Sequence, residues 1–497
     1  MHHVIKGGYN LVYRLEYEDG HSVVMRVPIK DLVPFPDEKV MYEVSTMRYV
    51  AANTTIPVPR VYHHGTSTEN PTELGPFIVM EYMDHDTNMS RELLDPTKPA
   101  DSRPVLDPRV SQDRLESLYG EMAKILLQLY NLGPFATIGS LVQEKFGACE
   151  YDLAPASRPR NQATPRTEDA RICAKVGGRP LTVNMIDLVT DTGAPHDVFP
   201  PPSQTFISAR EWYTALAGMH KAQLVFQQGD CVEDEDDARD KYVARELFES
   251  LAASDRLFAI WDLASESDDS THSLSKFGSV PSPWSTVAGD NVPSSSGFRL
   301  FSEDLRPANV LLDRDLKVVG VVDWEFVYSA PAAFSSDPPW WLLLCQPEDH
   351  PGGIFSWMRE YDKRLDVFLR ALEKEELKSQ GATNSQDGDP SGEPRSRRTR
   401  KERRAKKETE PKFIPISGLS LSQQMRRSWE TGRWMVNYAA RKSWMFDLVW
   451  WRFLDEAYFG VNEEQDYKAR VGFLTAEQQK HMEDLVADKI RHADRSI

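Results

Sequence analysis

One apolar hairpin with polar residues on either side constrains this chain more than any other feature. The segment SEDLRPANVLLD (302–313) leads into VVGVVDWEF (318–326). The apolar runs VLL and VVGVV predict two short strands joined by a tight turn. Such a hairpin brings Asp304 and Asn309, which precede the first strand, close to Asp323, which ends the second. The sequence therefore predicts a polar site beside this hairpin.

The residues around the hairpin are those that phosphoryl transfer requires. Asp304 can accept the proton of an attacking hydroxyl. Asn309 and Asp323 supply neutral and anionic oxygen atoms, which Mg²⁺ prefers as ligands. Glu325 lies two residues beyond Asp323 on the same strand face, where a direct metal ligand, a supporting residue and a solvated glutamate are the alternatives. An Asp five residues before an Asn is common by itself, so the prediction depends on the whole set.

The N-terminal part predicts a small sheet with one helix. Apolar and β-branched runs indicate two strands before the helix and two after it. The predicted strands are Leu11–Tyr17, Ser22–Val27, Arg60–His63 and Pro76–Tyr82. The helix follows Pro36, and the residues of its predicted apolar face are Val40, Val44, Met47 and Ala51.

A nucleotide-binding set can be assembled in the same part of the chain. The pair Gly7–Gly8 precedes the first strand, where it is either a simple turn or a place for backbone amides to approach a phosphate. Arg26, on the second strand, supplies a cation for phosphates, and Glu43, on the helix, is placed to pair with it. The alternative for this pair is two unrelated surface charges. The order of elements places backbone groups near Glu81 and Met83 opposite the edge of an adenine base.

After about residue 110 the pattern becomes mainly helical, which predicts an α+β fold with a small sheet-containing lobe and a larger helical lobe. Two stretches without sustained periodicity are predicted insertions, and one polar, charged stretch is a predicted disordered linker. The predicted divisions are the N-lobe (1–83), the C-lobe (84–377) with insertions near 151–206 and 264–297, the linker (378–412) and a C-terminal helical part of the C-lobe (413–497).

Composition limits the partners and the compartment. The chain has 76 acidic and 59 basic residues, a formal charge of −17. Such a surface disfavours nucleic acid and anionic membranes and would tolerate or attract a cationic substrate, although acidity also keeps large proteins in solution. The acidic run 230–240 is interpreted either as a solvated loop or helix start, or as a site for a cationic substrate.

Targeting signals are weak. Four cysteines without a C-x-x-C pair favour a reducing compartment. No signal peptide is predicted, and no apolar run is long enough to span a bilayer. We expect a cytoplasmic protein, with the basic run 395–407 as a nuclear-localisation signal, a nucleic-acid patch or a solvated linker.

Taken together, these residues resemble the aminoglycoside phosphotransferase family, especially its fungal members of unassigned substrate. Further similar segments are KVMYEVSTMRYV with IPVPRVY, FATIGSL, SAPAAFSSDPPWWLLL and SWETGRWMVNYAARKSWMFDLVWWRF. The resemblance covers roughly residues 5–345 and 420–460. It implies a two-lobed kinase-like fold that binds ATP and Mg²⁺ between the lobes and phosphorylates a hydroxyl of a small molecule. By this resemblance Asp304 is the catalytic carboxylate, and Asn309 and Asp323 hold the metal.

Two residues depart from that family's pattern. Ser302 stands where the family usually has a histidine, two residues before the catalytic aspartate, and Arg26 replaces the usual lysine. Ser302 supports a second interpretation, a pseudokinase that binds nucleotide or acts as a scaffold without transfer. A protein kinase is a third interpretation, and it is disfavoured because neither D-F-G nor A-P-E follows Asp323.

Overall fold

The chain folds into a small lobe, built on an antiparallel sheet with one helix, and a larger lobe that is mainly helical. The computed structural model describes residues 2–99, 102–143, 174–228, 231–260, 297–384 and 418–493. The predicted α+β, two-lobed fold is confirmed.

The sheet of the small lobe has five strands in the order β1-β2-β3-β5-β4, and each neighbouring pair is antiparallel. Arg26 lies on the central strand β3, opposite Val12 of β2 and Ile78 of β5. Its position is therefore fixed by a ladder on both sides. The strands are β1 (Ile5–Lys6), β2 (Asn10–Glu16), β3 (Ser22–Pro28), β4 (Val61–Gly65) and β5 (Phe77–Glu81).

Helix α1 (Pro36–Asn53) is buried on more than its apolar face. Proline at its first position suits helix initiation, because that residue needs no amide partner. Three of the four predicted apolar residues are buried, but Ala51 is exposed. Lys39 and Glu43 are buried one turn apart, at 1% and 2% exposure. Buried charges require partners, and these are found in the cleft described below.

The larger lobe contains two more antiparallel sheets. One has three strands in the order β11-β10-β6, and the other has four in the order β8-β7-β12-β9. Helix α1 packs against β7 and β8 as well as against β4 and β5, so it lies between the lobes. The strands are β6 (Thr87–Asn88), β7 (Gly139–Gln143), β8 (Ala174–Gly178), β9 (Phe298–Ser302), β10 (Val310–Leu312), β11 (Val318–Val321) and β12 (Val327–Pro331).

The helices of the larger lobe surround an aromatic core. Trp212, Trp341, Trp357 and Trp450 are among its largest fully buried side chains. The helices are α2 (Gln112–Tyr130), α3 (Val183–Thr192), α4 (Ala209–Phe226), α5 (Glu235–Ala253), α6 (Ala332–Ser335), α7 (Gly353–Asn384), α8 (Leu421–Thr431), α9 (Arg433–Arg441), α10 (Phe446–Val449), α11 (Asp455–Phe459) and α12 (Ala476–Ala493). Helix α2 packs on α7, and α5 packs on α4 and α12.

Two predicted boundaries require correction. Residues 174–206, assigned to an irregular insertion, include β8 and α3, and β8 pairs with β7. Elements of five and ten residues are too short to give a sustained periodicity, which explains the error. The predicted linker starts at residue 378, but α7 continues to Asn384. Residues 151–173, 264–296 and 385–412, with the basic run 395–407, lie outside the described residues.

The acidic run is the start of a helix over its described part, residues 231–240. Asp234 caps α5 by accepting a hydrogen bond from the Asp237 amide, and Asp236 forms an ion pair with Lys468. Acidic residues suit this end of a helix because its free amides carry partial positive charge. Separately, none of the described helices has an apolar stretch that would cross a membrane.

Candidate active site

A cleft of about 830 Å³ lies between the lobes and brings together residues that are far apart in the sequence. The predicted site residues that line it are Gly7, Gly8, Arg26, Glu81, Met83, Asp304, Asp323 and Glu325. Glu43 and Asn309 lie behind the wall of the cleft, where they contact residues that line it.

The glycine pair forms a turn at the entrance to β2. The Gly7 amide donates to the Asn10 carbonyl at 2.9 Å. A Cβ added to Gly8 would meet no atom within 4 Å, and one added to Gly7 would make only an ordinary contact at 3.5 Å. Packing within the protein therefore does not require glycine here, which leaves open space beside the backbone at the cleft.

Five charged residues, four of them buried and one partly exposed, form the Arg26 cluster at the wall of the cleft. It comprises Arg26, Lys39, Glu43, Asp323 and Glu325. Arg26 donates from Nη1 to Glu43 Oε1 at 2.5 Å, and from Nη2 to Asp323 Oδ1 at 2.5 Å and Glu325 Oε2 at 2.7 Å. The predicted pairing of Arg26 with Glu43 is present, but it is buried rather than exposed.

Charge balance within the cluster determines its protonation. Burial by itself would lower the pKa of Arg26, but the carboxylates of Asp323, Glu43 and Glu325 raise it. Burial would raise the pKa of Asp323, and Arg26 more than reverses this effect. At Glu43 burial prevails and raises the pKa, and among the described residues its Oε2 has no hydrogen-bond partner. With two cations and three carboxylates, the cluster is balanced when Glu43 is protonated and can accept further positive charge when Glu43 is ionised.

Lys39 and Asn10 belong to this site although the sequence did not single them out. Lys39 forms an ion pair with Glu325 and donates to Asn10 Oδ1 at 2.7 Å, and Asn10 Nδ2 donates to Glu325 Oε2 at 2.9 Å. Glu325 is 4% exposed, and its Oε2 is contacted by Arg26, Lys39 and Asn10. This geometry favours a supporting role for Glu325 over direct metal binding. The position of Lys39 four residues before Glu43 was the available signal.

The loop before β10 holds Asp304 in a polar frame. Arg306 Nε donates to Asp304 Oδ1 at 2.8 Å. Asn309 Nδ2 donates to the Asp304 carbonyl at 2.8 Å and to its Oδ2 at 3.2 Å. Burial raises the pKa of Asp304 to about 6, and Arg306 opposes that rise. A carboxylate with this pKa is still mostly ionised at pH 7 and can accept a proton.

Asp323, two residues after the end of β11, adopts a strained backbone conformation. Its φ of +65° lies in the left-handed region, which non-glycine residues rarely occupy and which is concentrated at functional sites. The Val322 amide donates to the Asn309 carbonyl at 2.9 Å and so ties the two segments together. The fold thus turns the Asp323 carboxylate toward the Asn309 loop and Arg26.

The glycine turn contacts the larger lobe through Tyr9. Its hydroxyl donates to Asp187 Oδ1 on α3 at 3.1 Å, and its ring packs edge-on against Phe326 at 5.5 Å. Burial raises the pKa of Asp187. This contact was missed because α3 lies in the stretch that the sequence assigned to an insertion.

Contacts within the protein use some of the backbone groups in the segment between the lobes. The Glu81 amide donates to the Arg60 carbonyl at 2.9 Å. The Met83 carbonyl accepts from His85 Nδ1 at 2.8 Å. These two contacts use the Glu81 amide and the Met83 carbonyl. The predicted contacts with an adenine base therefore concern the other backbone groups of this segment.

The oxygen atoms at Asn309 and Asp323 fit a hard cation. Asn309 uses its amide nitrogen in both hydrogen bonds to Asp304, so its carbonyl oxygen is available for a cation. Arg26 contacts Oδ1 of Asp323. In the described part of the chain, no group of three or more His, Cys, Asp or Glu residues forms a metal site by itself. One carboxylate and one amide instead suit Mg²⁺ that is also bound by phosphate and water.

The chain matches curated proteins over a short stretch of sequence, whereas solved structures align with most of its length. No family model matches the chain. Two subtelomeric hrmA-associated cluster proteins, from two strains of Aspergillus fumigatus, are each 33% identical over 88 residues, which is 18% of this chain and 17% of the relative. The match thus spans less than a fifth of those curated relatives.

Several solved structures align with most of the chain at low identity. A putative aminoglycoside phosphotransferase from Ralstonia eutropha is 11% identical, with 99% of this chain and 92% of that chain covered and a TM-score of 0.36. An aminoglycoside phosphotransferase in ternary complex with ADP and hygromycin B is 10% identical, with 78% and 88% covered and a TM-score of 0.33. An ethanolamine kinase from Plasmodium vivax is 10% identical, with 74% and 70% covered and a TM-score of 0.33. The chain is thus similar, at low identity, to solved structures of phosphotransferases and a kinase.

Proposed function

We propose that this chain is an ATP-dependent phosphotransferase that transfers the γ-phosphoryl group to a hydroxyl of a small molecule. The observation that carries the proposal is the meeting of Asp304, Asn309 and Asp323 at one cleft, beside an arginine paired with Glu43. These residues come from both lobes, and each has the chemistry that its proposed role needs. Two of the similar phosphotransferase structures contain ADP, and their nucleotide is consistent with the nucleotide binding proposed for this chain.

Asp304 is the proposed catalytic residue. Its carboxylate accepts a hydrogen bond from the acceptor hydroxyl and takes its proton as the new oxygen–phosphorus bond forms, while the bond from the γ-phosphorus to the bridging oxygen breaks and ADP leaves. Arg306 and Asn309 hold the carboxylate on two sides and limit its rotation. Most of the rate enhancement would come from this positioning and from charge stabilisation.

Asn309 and Asp323 are the proposed holders of Mg²⁺. The metal would offset the negative charge of the phosphates during transfer. Arg26 forms ion pairs with Asp323 and Glu325, and Lys39 forms one with Glu325. The two cations thereby hold both carboxylates in position. The excess of carboxylates in the Arg26 cluster favours the binding of a cation here.

The acceptor is proposed to be a small hydroxyl compound with a positive charge. Carboxylates outnumber Lys and Arg among the residues that line the cleft. Asp187, Asp191 and Glu348 lie among them, outside the Arg26 cluster. A cationic acceptor is attracted by such a lining.

A nucleotide-binding protein without transfer activity is the second candidate. Two ion pairs favour it, because Arg306 contacts Asp304 and Arg26 contacts Asp323, so both reactive carboxylates already have a cationic partner. Ser302, in place of the usual histidine, points the same way. Phosphoryl transfer would require the acceptor and the metal to share these carboxylates with the arginines.

Millimolar Mg-ATP is expected to raise the melting temperature of the wild-type chain, and Asp323→Asn should largely remove this rise. A ligand at 100 times its Kd stabilises the native state by roughly 2.7 kcal/mol, and the variant removes a charge at the proposed metal site. Differential scanning fluorimetry measures the shift, and titration calorimetry measures binding directly. Asp113→Asn, an exposed aspartate on α2, is the matched control and should behave as wild type. Absence of both shift and binding in wild type would refute nucleotide binding.

Turnover is expected to fall by about tenfold per pH unit below pH 6, because the pKa of Asp304 is raised by burial to about 6 and only the ionised form accepts a proton. Turnover falls as the pH falls because acid converts the Asp304 carboxylate to its protonated form, which cannot accept a proton. Single-turnover ATP consumption between pH 5 and pH 8 gives the profile. A rate independent of pH across this range would argue against Asp304 as the base.

A further inference from the structure

A second carboxylate, that of Glu303, directly precedes Asp304 in the chain. Glu303 Oε2 accepts from the Val183 amide at 2.8 Å, and Oε1 accepts from the Tyr328 hydroxyl at 3.0 Å. The Glu303 amide donates to the Phe326 carbonyl at 3.2 Å. Glu303 therefore joins the Asp304 loop to α3, to β12 and to the turn that follows Asp323.

The contact with Val183 is a helix-capping contact. Val183 is the first residue of α3, and the Thr182 hydroxyl already accepts from the Met185 amide at 3.2 Å. The first amides of a helix lack partners within the helix and carry partial positive charge, so a carboxylate is stabilised there. Glu303 thus satisfies a donor that Thr182 does not reach.

Helix α3 carries this connection back to the small lobe. Asp187, one turn beyond Val183, accepts from the hydroxyl of Tyr9, which directly follows the Gly7–Gly8 turn. A continuous path of contacts therefore runs from the glycine turn through Tyr9, Asp187 and α3 to Glu303. Its end is the backbone of Asp304.

We propose that Glu303 is a positioning residue that fixes the Asp304 backbone relative to the glycine turn, acting through α3. The inference rests on the proposed function, because Asp304 is the catalytic residue of that proposal. Two hydrogen bonds from separate elements fix the carboxylate of Glu303. Because Asp304 follows Glu303 directly in the chain, its backbone has little independent freedom. A displacement of about 1 Å at a reacting group can lower a rate on the order of 100-fold.

The test compares Glu303→Ala with Glu303→Gln. The alanine variant removes both contacts and is expected to lower kcat on the order of 100-fold, with little change in the KM for ATP. The glutamine variant should restore most of kcat, because its carbonyl oxygen can accept from the Val183 amide while its amide nitrogen donates to the Tyr328 oxygen. Asp234→Ala, which removes a capping carboxylate from α5, is the control and should leave kcat unchanged.

Hydrogen exchange gives a readout that does not need turnover. In the nucleotide-free protein, Glu303→Ala should speed amide exchange in peptides covering residues 303–309 and the start of α3, whereas Asp234→Ala should speed it only at α5. If wild type shows no turnover, the proposed function fails, and exchange alone then decides the role of Glu303. Unchanged exchange at 303–309, or an equal loss of kcat in Asp234→Ala, would overturn the inference.

Discussion

Asp304→Asn is expected to lower turnover on the order of 10² to 10⁴-fold while nucleotide affinity stays close to that of wild type. Asparagine keeps the size and shape of the side chain but cannot take a proton. The Arg26 cluster, which lies at the proposed metal end of the cleft, is unchanged by the substitution. Single-turnover ATP consumption includes the slow transfer to water, so the measurement does not require a known acceptor.

Asp323→Asn is the informative comparison for this variant. It removes a charge at the proposed metal site and should weaken nucleotide binding together with turnover, whereas Asp304→Asn should separate the two. Turnover unchanged by Asp304→Asn would remove this residue from the mechanism. Tight nucleotide binding without any wild-type turnover, after a broad acceptor screen, would instead support the nucleotide-binding protein.

Arg26→Met is expected to destabilise the chain by about 3–5 kcal/mol, because it leaves three buried or partly buried carboxylates with Lys39 as their remaining cation. Arg26 is 6% exposed and contacts Glu43, Asp323 and Glu325 at once. Equilibrium denaturation in urea measures the loss. Arg26→Lys should be intermediate, since an ammonium keeps the charge but cannot span the same carboxylates with a planar fork.

Arg103→Met is the matched control for this experiment. Arg103 forms an ion pair with Asp349, but its side chain is 72% exposed, and such pairs contribute about 0–1 kcal/mol. The two substitutions remove the same group from opposite environments. A loss below about 1 kcal/mol for Arg26→Met would mean that the carboxylates of the cluster are held by other means.

The Arg26 cluster links stability to the proposed chemistry. Its three carboxylates exceed its two cations, so the cluster carries a net negative charge when Glu43 is ionised. That excess costs stability when no cation is bound and favours the binding of one. The same arrangement explains why Glu325, although close to Asp323 in the sequence, pairs with Arg26 and Lys39.

The short-range features of this protein follow from its sequence alone. The apolar hairpin, the individual strands and the helix of the small lobe, and the spacing of Asp304, Asn309 and Asp323 were all predictable. Each depends on alternation, turn residues or helix spacing within about 25 residues of chain. Physical constraints of this range are local, so no knowledge of the fold is needed to interpret them.

Only the tertiary structure decided which distant residues complete the site. Glu303 meets Val183 across 120 residues, Tyr9 meets Asp187 across 178, and Asn10 meets Glu325 across 315. Burial selected Lys39 as well, since its spacing from Glu43 does not by itself show that the lysine is buried. The short elements β8 and α3 gave no periodic signal, yet α3 carries two of these contacts. Such contacts form because packing brings separate elements together and every buried charge must then find a partner.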